Sequence, residues 1–197
     1  MNDKNVDELI LKLRRKKRLI SCGYDLEADK IFIRDRLVHF RKQIVDEKFE
    51  IVAPKYLEPL EKNDIEKRFT SEQTPQVVLA NTYHNDSVSF SFFIGVRSLS
   101  EEIDVLKNEL ASLFPQNIFY GKGSVSSESG IVNWFDYKSF SLHNEIYQLL
   151  FLFDLPSEQR VLGSFQCDFP SYESWHPCIL AMIQTIMPLQ ENVAERL

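Results

Sequence analysis

Cys167, His176 and Cys178 lie close together near the carboxyl end and are the residues best suited to covalent chemistry. They could converge where the last predicted strand meets the last predicted helix, giving a thiolate nucleophile and its base. That chemistry needs the imidazole within hydrogen-bond reach of a thiol and a third group to orient it, and the spacing enforces neither. Cysteines on a strand end and a helix face are most often small core hydrophobes. An enzyme using Cys167 or Cys178 therefore stands as the alternative to a non-enzymatic protein. Gly121-Lys122-Gly123-Ser124 has part of the composition of a phosphate loop but lacks the first glycine of that motif, and a strand rather than a helix is expected to follow it. A glycine pair between strands reads as a hairpin or bulge. The four histidines, His39, His84, His143 and His176, form no HxxxH or HxH pair, so neither a metal site nor a cofactor is expected. Asp136, Glu145 and Asp154 are expected at strand ends or exposed strand positions as solvated carboxylates.

The sharpest compositional feature is a basic segment in which Lys12, Arg14, Arg15, Lys16, Lys17 and Arg18 supply six cations in seven residues. Such a segment can neutralise phosphates, lie on an anionic surface, dock on an acidic protein, or form one face of a solvated helix. Residues 1–48 carry a net charge of +4 and residues 49–197 a net charge of -10. The acidic remainder and a pI near 5.3 argue against nucleic acid, although binding through the basic helix stays open as a further alternative.

The elements that must position these residues follow from periodicity. The 197 residues are 44% apolar, enough for one domain to bury a sizeable core without disulfide or metal. Three widely spaced cysteines without a CxxC pair read as reduced thiols, and no stretch approaches the ~20 apolar residues of a membrane span, which together suggest the cytoplasm. Residues 1–30 read as a basic helical arm, 31–188 as an α+β domain and 189–197 as a tail. Residues 37–53 alternate as a strand pair turning at Asp46-Glu47-Lys48 or as one long bent strand; strands are expected over 76–82 and 88–94, the latter with Val88, Phe90, Phe92 and Ile94 on one face. Ser98 and Glu101 form a capping box that opens a helix striped by Leu99, Ile103, Leu106, Leu110 and Leu113. A strand at 118–120, leading into one at 124–127, is followed by strands over 131–138, 145–154 and 160–169. The run 146–153 is apolar on both faces, as a strand covered on two sides requires. A last helix, striped by Ile179, Met182, Ile183 and Ile186, is expected to hold Pro177 in its opening turn.

Three phrases carry a resemblance: Ser71-Glu72-Gln73-Thr74-Pro75 before a valine-rich strand, Leu162-Gly163-Ser164-Phe165-Gln166-Cys167, and Tyr172-x-x-Trp175-x-Pro177 at the last helix. Over residues 38–188 the chain resembles small uncharacterised bacterial proteins with a PsbP-like α/β/α sandwich. That resemblance implies a twisted, mainly antiparallel sheet with helices on both faces and supplies no catalytic residues. Broader relatives of the fold include a Ran-binding import factor, an extrinsic photosystem subunit, the lipoprotein DcrB and the Eag chaperones, which are mainly binders. It thus favours a protein-binding or adaptor role, chaperone-like in the last case, with the partner unnamed and a homo-oligomer left open. Ser71, Glu72, Gln73 and Pro75 form a polar, proline-stiffened candidate contact loop; the plainer reading is that they cap the short helical turns expected around Leu60, Ile65 and Phe69 and aim the next strand.

Overall fold

The computed structural model describes residues 24–27, 30–69, 74–81, 85–141, 144–156 and 158–189. Its framework is a seven-stranded antiparallel sheet built from β5 (Glu58–Pro59), β6 (Val77–Ala80), β7 (Ser87–Ile94), β8 (Ile118–Ser127), β9 (Gly130–Phe140), β10 (Glu145–Asp154) and β11 (Gln159–Asp168). The spatial order is β5-β6-β7-β11-β10-β9-β8. Alternation decides which side chain faces which layer. Tyr147, Leu149, Phe151 and Phe153 of β10 enter the larger core, while Leu150 and Leu152 enter a smaller one on the opposite face. The strand expected to be covered on two sides is so covered.

The larger core is closed by a second sheet, ordered β12 (Met187–Pro188), β4 (Phe49–Pro54), β3 (Phe40–Val45), by the hairpin of β1 (Ile31–Ile33) and β2 (Arg36–Val38), and by helix α3 (Tyr172–Gln184). Phe49 illustrates the packing: its ring meets Phe90 and Phe153 edge-on, each at 5.2 Å between centroids. The smaller core is closed by helix α2 (Leu99–Leu113), which buries Ile103 against Phe135, Tyr137, Leu150 and Leu152. Helix α1 (Lys62–Arg68) covers β6 through Ile65 on Val78 and Ala80. The class is therefore α+β, a mainly antiparallel sheet with helices on both faces.

Local expectations meet the structure at several points. Asp46 and Glu47 adopt positive φ (48° and 55°) in the turn between the paired residues Val45 and Phe49. Residues 118–127 form one continuous strand, with the register shifting between Phe119 and Gly121 as at a β-bulge. Pro177 lies in the second turn of α3, beyond the opening turn predicted for it; a 3-10 turn over Phe169–Ser171 precedes the helix. Leu26, within the stretch read as an arm, is buried in the larger core beside Ile31 and Ile33.

Candidate functional site: a polar groove and a buried polar cluster

The β1–β2 hairpin turns through Arg34, whose φ of 54° places it in the left-handed region, and Asp35. Ile31, Ile33 and Val38 point into the core, which anchors the hairpin by its inner face. Its outer face carries the cross-strand pair Phe32 and Leu37, 58% and 37% exposed. Beneath the tip lies a groove of about 430 Å³. The hairpin supplies one wall with Arg34, Asp35 and Arg36; Asn85 and Asp86, Asp168 at the end of β11, and Ser171 and Trp175 at the start of α3 supply the rest.

A compact network braces that groove. Arg36 Nη2 donates to Asp86 Oδ2 at 2.7 Å and to Tyr56 Oη at 2.9 Å, and the Tyr56 hydroxyl donates to the same Asp86 oxygen at 2.6 Å. The guanidinium also lies 4.7 Å from the centroid of the Tyr56 ring. Burial first, and then the charge of Asp86, push the Tyr56 phenol far above its ordinary range, so it stays a donor. Asn85 Nδ2 donates to Asp168 Oδ1 at 3.0 Å. Arg34 and Asp35 are exposed at the rim and, among the described residues, have no partner.

A smaller cavity of about 120 Å³ adjoins through Asn85 and Asp168 and is lined in part by Cys167. Burial, reinforced by the charges of Asp86 and Asp168, drives the Cys167 thiol well above its ordinary value. A reactive thiolate needs the opposite environment. Cys178 is buried too, its thiol donating to the Ser174 carbonyl at 3.3 Å.

His176 is engaged elsewhere. Its Nδ1 lies 2.7 Å from Tyr147 Oη and 3.5 Å from Asp136 Oδ2, and the Tyr147 hydroxyl donates to Asp136 Oδ2 at 2.6 Å. Asp136 Oδ1 accepts the Gly121 N–H at 2.9 Å. Asp136 is 0% exposed, which corrects the expectation of a solvated carboxylate; Glu145 and Asp154 are exposed as expected and pair with Lys138 and Arg160. The Gly121-Lys122-Gly123-Ser124 run lies inside β8, and its glycines let side chains of β9 cross the strand: a Cβ on Gly123 would lie 2.9 Å from the Trp134 ring.

Among the residues singled out from sequence, Ser71, Glu72 and Gln73, and Lys12, Arg14, Arg15, Lys16, Lys17 and Arg18, lie outside the described residues. Pro75 is half-buried in the lead-in to β6. Sequence reasoning missed the hairpin, although Ile31-Phe32-Ile33-Arg34-Asp35-Arg36-Leu37-Val38 holds two short apolar runs around a two-residue tip. Among the described residues no group of three or more His, Cys, Asp or Glu could hold a metal, and no helix is long and apolar enough to cross a membrane.

No family model matches the sequence, and no curated protein matches it. Solved structures do. Cyanobacterial PsbP (CyanoP) from Synechocystis sp. PCC 6803 superposes with a TM-score of 0.57 at 9% identity, covering 86% of this chain and 98% of that one. The chain has the PsbP-like fold. The Saccharomyces cerevisiae Ran-binding protein Mog1p matches with a TM-score of 0.53 at 11% identity, over 76% of this chain and 95% of its own. The PsbP-like scaffold accounts for the sheet and its covering helices; at these identities it assigns no role to the groove residues.

Proposed function

We propose that this PsbP-like chain is a non-enzymatic protein-binding or adaptor protein of the cytoplasm, chaperone-like in receiving part of another polypeptide on the β1–β2 hairpin and the groove beneath it. The observation that carries this reading is the hairpin's outer face: two exposed apolar side chains, Phe32 and Leu37, beside Arg34 and Asp35, unpaired among the described residues, at the rim of a braced polar groove. An apolar centre with a polar, arginine-bearing rim is the anatomy of a protein interface. Small-molecule sites are mostly apolar and enclose their ligand. That Mog1p, on the same scaffold, is a Ran-binding protein supports a polypeptide partner. The buried, weakly acidic Cys167 weighs against the thiol-enzyme alternative. In this reading the loop Ser71, Glu72, Gln73 and Pro75 extends the contact, and the basic arm adds electrostatic attraction to an acidic partner.

The test is affinity capture from the native extract by the wild type, by Phe32→Asp/Leu37→Asp, and by a chain lacking residues 1–23. A polypeptide held by the wild type and weakened about 30-fold by the hairpin substitutions, the loss of ~2 kcal/mol of central contacts, is expected. Both substituted side chains are exposed, so the fold is retained and circular dichroism verifies it. Capture of no polypeptide by any form, or equal capture by the hairpin variant, overturns the reading.

A further inference from the structure

We propose that Asp136, Tyr147 and His176 share one labile proton inside the domain and that this proton fastens helix α3 to the main sheet. The three side chains come from β9, β10 and α3, all buried, and make a continuous chain: Asp136 Oδ2 to Tyr147 Oη at 2.6 Å, Tyr147 Oη to His176 Nδ1 at 2.7 Å. Two proton arrangements of zero net charge satisfy this geometry. In one, Tyr147 donates to an Asp136 carboxylate and accepts from Nδ1–H of an imidazolium. In the other, an Asp136 carboxyl donates to Tyr147, which donates to the bare Nδ1 of a neutral imidazole protonated on Nε2. Moving two protons along the chain interconverts them, with the same proton count and zero net charge. The labile proton therefore belongs to the cluster rather than to either end.

Without that proton the same bonds persist, a neutral imidazole donating from Nδ1, but the cluster carries a net negative charge at a fully buried aspartate, which low polarisability opposes. The charges on elements packed against α3 are committed to other partners. Asp168 of β11 accepts from Asn85, Arg160 of β11 bonds Asp154, Glu50 of β4 pairs with Lys42 and Lys122 of β8 pairs with Asp104. On β9 and β10, Lys138 and Glu145 pair with each other. Cys167 of β11 is held as a neutral thiol, Tyr120 of β8 stacks on Tyr172 of α3, and Glu173 of α3 is half-buried. His176, when protonated, sets a cation 3.5 Å from Asp136.

The sign of the pH effect follows. The folded cluster binds one proton that the unfolded chain releases once the pH passes the ordinary histidine value of roughly 6.5. The stabilisation is whole below that value and is lost as pH rises through the cluster's own, higher value. Below about pH 4 the unfolded aspartate takes up a proton as well, so stability falls on the acid side too.

The experiment follows His176 by NMR in the His39→Gln/His84→Gln/His143→Gln variant, which leaves a single histidine, and measures urea unfolding from pH 5 to pH 9 in the wild type and in Asp136→Asn. The expected result is a His176 whose ring-nitrogen resonances change at higher pH in the folded than in the urea-unfolded protein, by loss of charge or by exchange of tautomer. With it, the unfolding constant of the wild type rises by up to tenfold per pH unit above neutrality, a dependence Asp136→Asn flattens. A His176 whose ring-nitrogen resonances change only at or below its unfolded value, or a slope unchanged by Asp136→Asn, overturns the proposal. Should either variant fail to fold, His176 is assigned in histidine-labelled wild type by its contact with the Trp134 ring: a change above the unfolded value upholds the proposal, and its absence overturns it.

Discussion

Arg36 reaches Tyr56 and Asp86 through a single nitrogen, and Asp86 accepts both the guanidinium and the phenol on one oxygen while being 7% exposed. Removing the cation strands a nearly buried carboxylate, whereas removing both charges does not. Because the Arg36 side chain keeps 34% of its exposure, water screens part of the loss. Arg36→Met is expected to lower unfolding stability by about 1–2 kcal/mol and Arg36→Met/Asp86→Asn by clearly less, read from urea melts. The buried Asp136 shows what was legible at this scale and what was not. Val132, Trp134 and Asp136 share one face of β9, so an acid in phase with a valine and a tryptophan signalled burial. Phe135 and Tyr137 on the other face hid that signal, because a strand apolar on both sides leaves no polar face for comparison. The partners of Asp136 were beyond reach for a different reason: Tyr147 and His176 are 11 and 40 positions away, and only the strand register and the seat of α3 bring them together.

Helix α2 begins with a reciprocal pair of bonds, Glu101 N–H to Ser98 Oγ at 3.3 Å and Ser98 N–H to Glu101 Oε2 at 3.1 Å. Hydrogen bonds from Ser98, side chain first and then backbone, hold the Glu101 carboxyl below its ordinary value. A depressed carboxyl contributes stability above the unfolded glutamate value of about 4.3 and loses it as pH falls through the folded one. Ser98→Ala is expected to cost about 1 kcal/mol near neutral pH and less in acid, measured by urea melts at pH 7 and pH 3. This helix was legible because its signals are local, a cap three residues from its partner and an apolar stripe at helical spacing. The long strands were legible for the same reason. The two-residue strands β5 and β12 and the separate β12-β4-β3 sheet were not, since their pairing partners are remote: Met187 lies opposite Glu50. Gly163 records such a remote demand, for a Cβ there would lie 2.1 Å from the Phe151 ring on the adjacent strand.

At the scale of the molecule the sheet divides two unequal cores. One gathers side chains from both sheets, the hairpin and α3; the other rests on α2, whose one buried residue is Ile103. Local opening follows buried apolar contact, so α2 detaches at lower free energy than β10 and β11. Native-state amide exchange is expected to show α2 exchanging through sub-global opening while Leu149 to Phe153 exchange only with global unfolding; equal protection of the two would refute it. The α+β class and its layering could be read from the chain because β10 announces two covering layers, while the groove could not, because it is assembled from a hairpin tip, the lead-in to β7 and a helix start that meet only after folding. The chain has two tryptophans, and both sit on the α3 side of the sheet: Trp175 inside the helix, and Trp134 edge-on to His176 with ring centroids 5.5 Å apart. A charged imidazole drains light from an excited indole that a neutral one leaves alone. The domain thus has a built-in lamp beside that imidazole, and its glow in an unlabelled sample follows the ring's charge.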